Sequence, residues 1–281
     1  MNTTQIDAIL DEFRAARWVA GNLGDLPCEG WFLLEVNPLP PGDELHKIVQ
    51  DIAGGHSVFV IDGQVRHLSS CPERHHEPMA IPKDVKAALQ RLGAHTFRIA
   101  VHPGLVNAYQ GQPLAIAFEP AINYGVFPDH PHLNTGGVGA ILGQGFYVPD
   151  TICYEENILG LGSDPVERFL QAFGRISVWL LRHMIWMETK KLCDGKGQWI
   201  GPEAPPLTPK QRAESGFWNP SDLCRCNSGK RYSDCHMLSD LGYGILTKSI
   251  STKNLKQGIA ARYEQRREQH KKFYSQIRRS S

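Results

Sequence analysis

Residues 129–156 read DHPHLNTGGVGAILGQGFYVPDTICYEE. Everything before this stretch reads as short strands and helices, and everything after it as one long amphipathic helix. It opens on His130-Pro131-His132 and Asn134, passes through a run of glycines, and lands on Ile152-Cys153-Tyr154-Glu155. Cys153 is the candidate nucleophile of this stretch.

Upstream, Thr4-x-x-Asp7 has the form of a helix start, and Ile6, Ile9, Leu10 and Phe13 recur at helical spacing, so the pattern predicts a helix over 5–20. Trp31–Val36 is an apolar run stopped by Pro38, Pro40 and Pro41 and reads as a strand. Ser57–Ile61 and Gln64–Leu68 flank Asp62-Gly63, a strong hairpin signal because both turn positions favour positive φ. Pro82–Leu92 reads as a helix, and Thr96–Val101 and Leu114–Phe118 as further strands. His67, Cys71, His75 and His76 fall close together, but no pair has a familiar zinc-knuckle spacing, so a polar loop outweighs a second metal site.

Downstream, Ser163-Asp164-Pro165 is a capping side chain followed by proline where its missing N–H does no harm. Val166, Phe169, Leu170, Phe173, Ile176, Leu180, Met184 and Met187 then keep helical period. So wide a stripe is a core-packing face and carries no catalytic residue. Trp199–Pro209 is rich in proline and reads as a linker.

Strands, a His-Pro flap, a cysteine signature and a long helix, in that order, resemble the ubiquitin-conjugating enzymes, over residues 1–205. The resemblance is to the looser, bacterial members of that family. It implies an α+β fold: an N-terminal helix, a four-stranded antiparallel meander, the flap and the long helix, with residues 82–92 inserted. It also implies that Cys153 carries a ubiquitin-like modifier, received from an activating enzyme, as a thioester before transfer to a target amine. His130 would open the flap, His132 or Asn134 would stand in for the family's flap asparagine at the oxyanion, and Glu155 would be the acid beside the cysteine. His132 occupies the asparagine position, and the flap-to-cysteine interval is longer than in the eukaryotic enzymes. Two other readings of Cys153 stand beside this: a small buried residue, or one ligand of a metal with His130 and His132.

The most specific motif lies further on. Cys224-Arg-Cys226, eight intervening residues and Cys235-His236 supply three thiolates and an imidazole, the closed tetrahedral set of a structural zinc site. Ser228-Gly229-Lys230 and Tyr232 lie between. The motif is similar to the SEC-C motif of bacterial proteins and departs from it at Asn227, where glycine is usual. In that family such modules act as adaptors for partner proteins or nucleic acid.

The organisation read from the sequence is a conjugating-type domain over 1–205, a linker over 206–216, a zinc module over 217–240 and a basic helical tail over 241–281. Residues 246–281 hold ten lysines and arginines against Glu264 and Glu268, although the whole chain is only +1. Ile259, Tyr263 and Phe273 are sparse for a core face, so the tail reads as solvated or bound to RNA or an acidic surface. Hydrophobic residues make up 41%, ordinary for a globular protein, and no apolar run approaches the roughly 20 residues that cross a bilayer. Seven cysteines, an odd number, and an N-terminus without an export signal point to a cytoplasmic protein without a disulfide framework. The alternative function is a catalytically silent adaptor, binding one partner through the conjugating-type domain and another through the zinc module.

Overall fold

The computed structural model describes residues 1–13, 15–24, 26, 29–40, 44–54, 58–61, 64–67, 79–104, 113–138, 147–154, 163–201, 207–214, 216–242 and 252–280. Helix α1 spans Thr3–Glu12 and begins two residues earlier than Thr4 suggests: the Asn2 side chain accepts from the Gln5 backbone N–H at 3.0 Å, and the Gln5 side chain accepts from the Asn2 N–H. It ends at Glu12, well short of residue 20. Phe13 is extended, and Ala16–Asn22 forms edge strand β1 instead. Trp18 and Val19 are better strand formers than helix formers, and pairing with the next strand, β2 (Glu29–Val36), satisfies their backbone. Gly30, at φ +89, lets the two strands close up, since a Cβ there would lie 2.7 Å from the Trp18 ring.

The main sheet is completed by β5 (Phe97–His102) and β6 (Leu114–Glu119), in the order β1-β2-β5-β6, antiparallel throughout. This is a four-stranded antiparallel sheet in a mixed α+β chain, as expected, with one correction. The hairpin β3 (Val58–Ile61) and β4 (Gln64–His67) pairs as predicted but stands outside the sheet. It sits with α2 (Glu44–Ala53) and α3 (Lys83–Leu89) in the excursion between β2 and β5. Strand β5 pairs directly with β2 where the hairpin was expected, and β1 supplies the fourth strand at the edge. Helix α2 had no counterpart in the sequence reading, although Ile48, Val49, Ile52 and Ala53 bury one face of it.

Helix α4 (Pro165–Leu192) starts where predicted, with the Asp164 carboxylate accepting from Val166 and Glu167 N–H at 2.9 and 3.0 Å. It fills one face of the sheet. Phe169 packs 4.5 Å from Phe32, Phe173 packs 4.4 Å from Phe13, and Ile176, Trp179 and Leu180 continue the same core.

The opposite face of the sheet overturns the reading of residues 250–278 as a solvated tail. Trp31 and Leu33 of β2, Ala100 of β5 and Leu114, Ile116 and Phe118 of β6 point to that side. Helix α7 (Thr252–Ser280) covers them with Phe273, Tyr274 and Ile277, each at most 4% exposed. Left open, that face would keep two large aromatics in water. Its other end, at Ile259 and Leu255, packs on the metal module. No helix among the described residues is long and apolar enough to cross a membrane.

Removing the Phe273 ring should therefore act as a core truncation. Phe273→Ala is expected to lower stability by about 3–5 kcal/mol. Lys271→Ala, on the exposed face of the same helix, should stay within about 0.5 kcal/mol. Urea unfolding of both variants measures the difference.

Candidate functional site

In the metal module the four donor atoms of Cys224, Cys226, Cys235 and His236 lie within 4.8 Å of one another. His236 Nδ1 is 3.2 Å from both the Cys224 and Cys235 sulfurs, and the Cys226 and Cys235 sulfurs are 3.5 Å apart. A tetrahedral zinc with bonds of about 2.0–2.3 Å has edges of about 3.5–3.8 Å; the sulfur pair lies at that spacing and the two histidine contacts a little inside it, so the cluster is compact enough to hold such an ion. Helix α6 (Met237–Asp240) follows directly, so His236 is held at the start of a turn. The knuckle needs positive φ at Asn227 (+58) and Gly229 (+74). Asparagine at 227 suits this, being among the few non-glycine residues that tolerate the left-handed region. The hydroxyl and backbone N–H of Ser228 bond the Cys226 sulfur and hold that thiol down to about 6, which favours the thiolate a metal needs.

Polar braces fix the module around its ligands. Arg225 makes a two-pronged bond to Asp240 at 2.6 and 2.8 Å, and the Tyr232 hydroxyl donates to the same carboxylate at 3.0 Å. Cys71, His75 and His76 of the weaker cluster lie outside the described residues. Among the described residues, no other group of three His, Cys, Asp or Glu side chains comes together, so His130, His132 and Cys153 do not form a metal site.

The flap and the cysteine do meet. Strand β7 (Leu133–Asn134) pairs antiparallel with β10 (Thr151–Ile152), Leu133 opposite Ile152 and Asn134 opposite Thr151. Continued by one residue, this register sets His132 opposite Cys153, which is half-buried. The Asn134 amide reaches across the ladder to the Ile152 carbonyl, a long contact of 3.5 Å. Two tyrosines stand close to the thiol. Tyr124 is pushed up to about 12 by burial and then by Asp150, with Cys153 contributing. Tyr154, raised chiefly by burial, donates from its hydroxyl to the Pro113 carbonyl at 2.6 Å. Glu155 lies outside the described residues.

The two flap histidines belong to the core. His130 is 3% exposed and stacks between Trp179 and His183, with ring centroids 5.0 and 5.1 Å away. The His132 backbone N–H donates to His130 Nδ1 at 3.0 Å, so the His130 proton sits on Nε2 and is donated to His183 Nδ1, also at 3.0 Å. Each ring is thus fixed as one neutral tautomer. Burial, the largest cause, depresses His130 to about 2 and His183 to about 3. The His132 ring stacks on Trp199 at 4.9 Å while its carbonyl accepts from Trp179 Nε1 at 3.0 Å. A base that cannot take a proton near neutral pH is a scaffold for the flap.

One group that the sequence reading passed over closes the arrangement. Asp150, fully buried, accepts from Tyr124 N at 2.9 Å, from Gly136 N at 2.7 Å and from Arg266 of α7 at 2.6 Å. Arg266 also donates to the Gly136 carbonyl at 2.9 Å, and its guanidinium lies 4.2 Å from the centre of the Phe217 ring. Phe217 in turn packs 5.0 Å from Tyr124. Asp150 lies in the quoted stretch, but its partner Arg266 is more than a hundred residues away, and no spacing announces that.

Two measurements follow from this geometry. Purified protein should contain one zinc per chain, lost in a Cys224→Ser/Cys226→Ser variant; equal metal in both would remove the assignment. Because His130 and His183 are depressed when folded, the unfolded chain binds protons first as pH falls below about 6.5. Stability should hold above that value and drop below it, by roughly 1.4 kcal/mol per pH unit for each such histidine. His270, lowered to about 4 by burial, adds to the slope. His183→Gln, which keeps an acceptor for His130, should flatten the slope between pH 6 and 4.5 by about one proton, read from urea midpoints.

No family model matches this chain, and no curated protein or solved structure does either.

Proposed function

We propose that the chain is a ubiquitin-conjugating-type transferase with Cys153 as its nucleophile and a structural zinc at Cys224, Cys226, Cys235 and His236. The observation that carries this reading is the β7–β10 ladder, which brings the His-Pro flap against the cysteine in a fixed register. In the first step the Cys153 thiolate attacks the activated C-terminal carboxyl of a ubiquitin-like modifier. A carbon–sulfur bond forms and the activating group departs. In the second step a target amine attacks the thioester, a carbon–nitrogen bond forms, and the thiolate leaves while the amine loses its proton to solvent or an adjacent acid, for which Glu155 is the candidate. A thiol suits both steps because it is at once a nucleophile and a leaving group.

Each flap residue then has a separate part. Neutral His130 positions the flap by its bonds to His132 N and His183. The oxyanion donor falls to Asn134, whose amide is only loosely held by the Ile152 carbonyl and can turn, or to His132. Zinc, when bound, supplies no chemistry here beyond fixing the module, since three thiolates and an imidazole leave no open position.

A second reading, a binding adaptor, is favoured by one feature of the zinc module. Leu223 is 74% exposed beside a groove lined by Phe217, Trp218 and Tyr232, an arrangement suited to a partner protein.

Incubation with ATP, a cognate activating enzyme and its modifier separates the two. Conjugation predicts an adduct that reductant cleaves, that Cys153→Ala abolishes, and that Cys153→Ser converts to a reductant-stable ester. Asn134→Ala should slow discharge by about a hundredfold or more. A reducible adduct that survives Cys153→Ala would refute Cys153 as the nucleophile, and no adduct with any cognate pair would leave the adaptor.

A further inference from the structure

The ladder that carries Cys153 is only two residue pairs long, and pairing this short does not hold its own register. Something outside it must. Asp150 stands immediately before β10, and Gly136 two residues after β7, so the bond from Gly136 N to Asp150 Oδ1 closes the open end of the ladder. The carboxylate is fully buried, and a lone buried charge would be costly. Its counter-charge is Arg266, whose second prong takes the Gly136 carbonyl. One guanidinium therefore grips both strands at once.

Arg266 belongs to a helix with two other attachments. Toward its N-terminus, Ile259 packs on the metal module beside Cys224, Tyr232 and Met237, and Lys256 pairs with Asp234 at 2.6 Å. Gly216 at the module's entry lies so close to the backbone of Arg262 and Tyr263 that a Cβ would come to 3.2 Å. Toward the C-terminus, Phe273, Tyr274 and Ile277 are seated on the sheet. The helix spans from one anchor to the other, with Arg266 between.

The geometry points to Arg266 as a positioning residue: a latch through which the metal module sets the register and exposure of the Cys153 strand. Folding of the module around its metal holds the N-terminal half of α7, α7 presents Arg266, and Arg266 closes the Asp150–Gly136 end of the ladder. This holds whether or not Cys153 carries a modifier, because it concerns access to the thiol.

The test is the alkylation rate of Cys153 by iodoacetamide, resolved from other cysteines by peptide mass spectrometry, with half-buried Cys193, just past the C-terminal end of α4, as internal control. Full-length wild type and Arg266→Met are compared, each with zinc bound and after treatment with a chelator. Arg266→Met should raise the Cys153 to Cys193 labelling ratio on the order of tenfold, the range for loss of a charged hydrogen bond. Chelation should raise it in the wild type and add little in Arg266→Met. Arg266→Lys, which keeps the charge but not the fork, should fall between. A ratio unchanged in Arg266→Met overturns the latch, and so does a chelator effect of equal size in both backgrounds. If Arg266→Met proves unfolded by near-ultraviolet circular dichroism, Arg266→Lys in both metal states decides by the same ratio. Conjugation assays play no part, so failure here and failure of the transferase reading are separate results.

Discussion

A single buried carboxylate holds three parts of this chain in one arrangement. Asp150 receives Tyr124 N–H from the segment after β6, Gly136 N–H from the flap and Arg266 from the C-terminal helix. All three are donors to a charge with no access to water. Removing any one leaves that charge less compensated, which is far more costly than the loss of a surface pair. The flap, the strand before Cys153 and α7 are therefore fixed together. The metal module joins the set because Phe217 lies under the same guanidinium.

The sheet imposes the second constraint, and it shows where the sequence was legible. Trp31-Phe32-Leu33-Leu34 and Leu114-Ala-Ile-Ala-Phe118 are apolar without alternation. In an antiparallel sheet with one wet face, period-two patterning is expected, so continuous runs signal burial on both sides. That signal lay in the strands, whereas the helix that answers it has a weak pattern: its contacts are divided between two surfaces, Ile259 on one and Phe273, Tyr274 and Ile277 on the other. Neither set alone makes a stripe. Helix α4 was legible because it buries a continuous face, and the metal ligands were legible because coordination demands fixed donors at short spacing. The end of α1 was not, since the helical spacing of Ile6, Ile9, Leu10 and Phe13 gives no stop signal before Gly21, and the strand preference of Trp18 and Val19 is realised only by pairing with β2.

The flap shows a different limit. From sequence His130 reads as the opening of a flap beside a cysteine, whereas the bonds from His132 N to His130 and from His130 to His183 leave no nitrogen lone pair free on its ring. Burial among Trp179, Trp186 and Trp199 does the rest. Between pH 6.5 and 8 the His130 and His183 rings therefore stay neutral and electrically silent.

The arrangement of α7 also bears on how the chain is made. The sheet it covers is complete by Glu119, whereas Phe273, Tyr274 and Ile277 are synthesised far later. Until residues 252–280 leave the ribosome, Trp31, Leu33, Ile116 and Phe118 form an uncovered aromatic and aliphatic plate. A nascent chain in that interval offers an adhesive surface to chaperones and to its own copies. Contacts of such long sequence separation also close slowly, so covering this face belongs among the late events of folding.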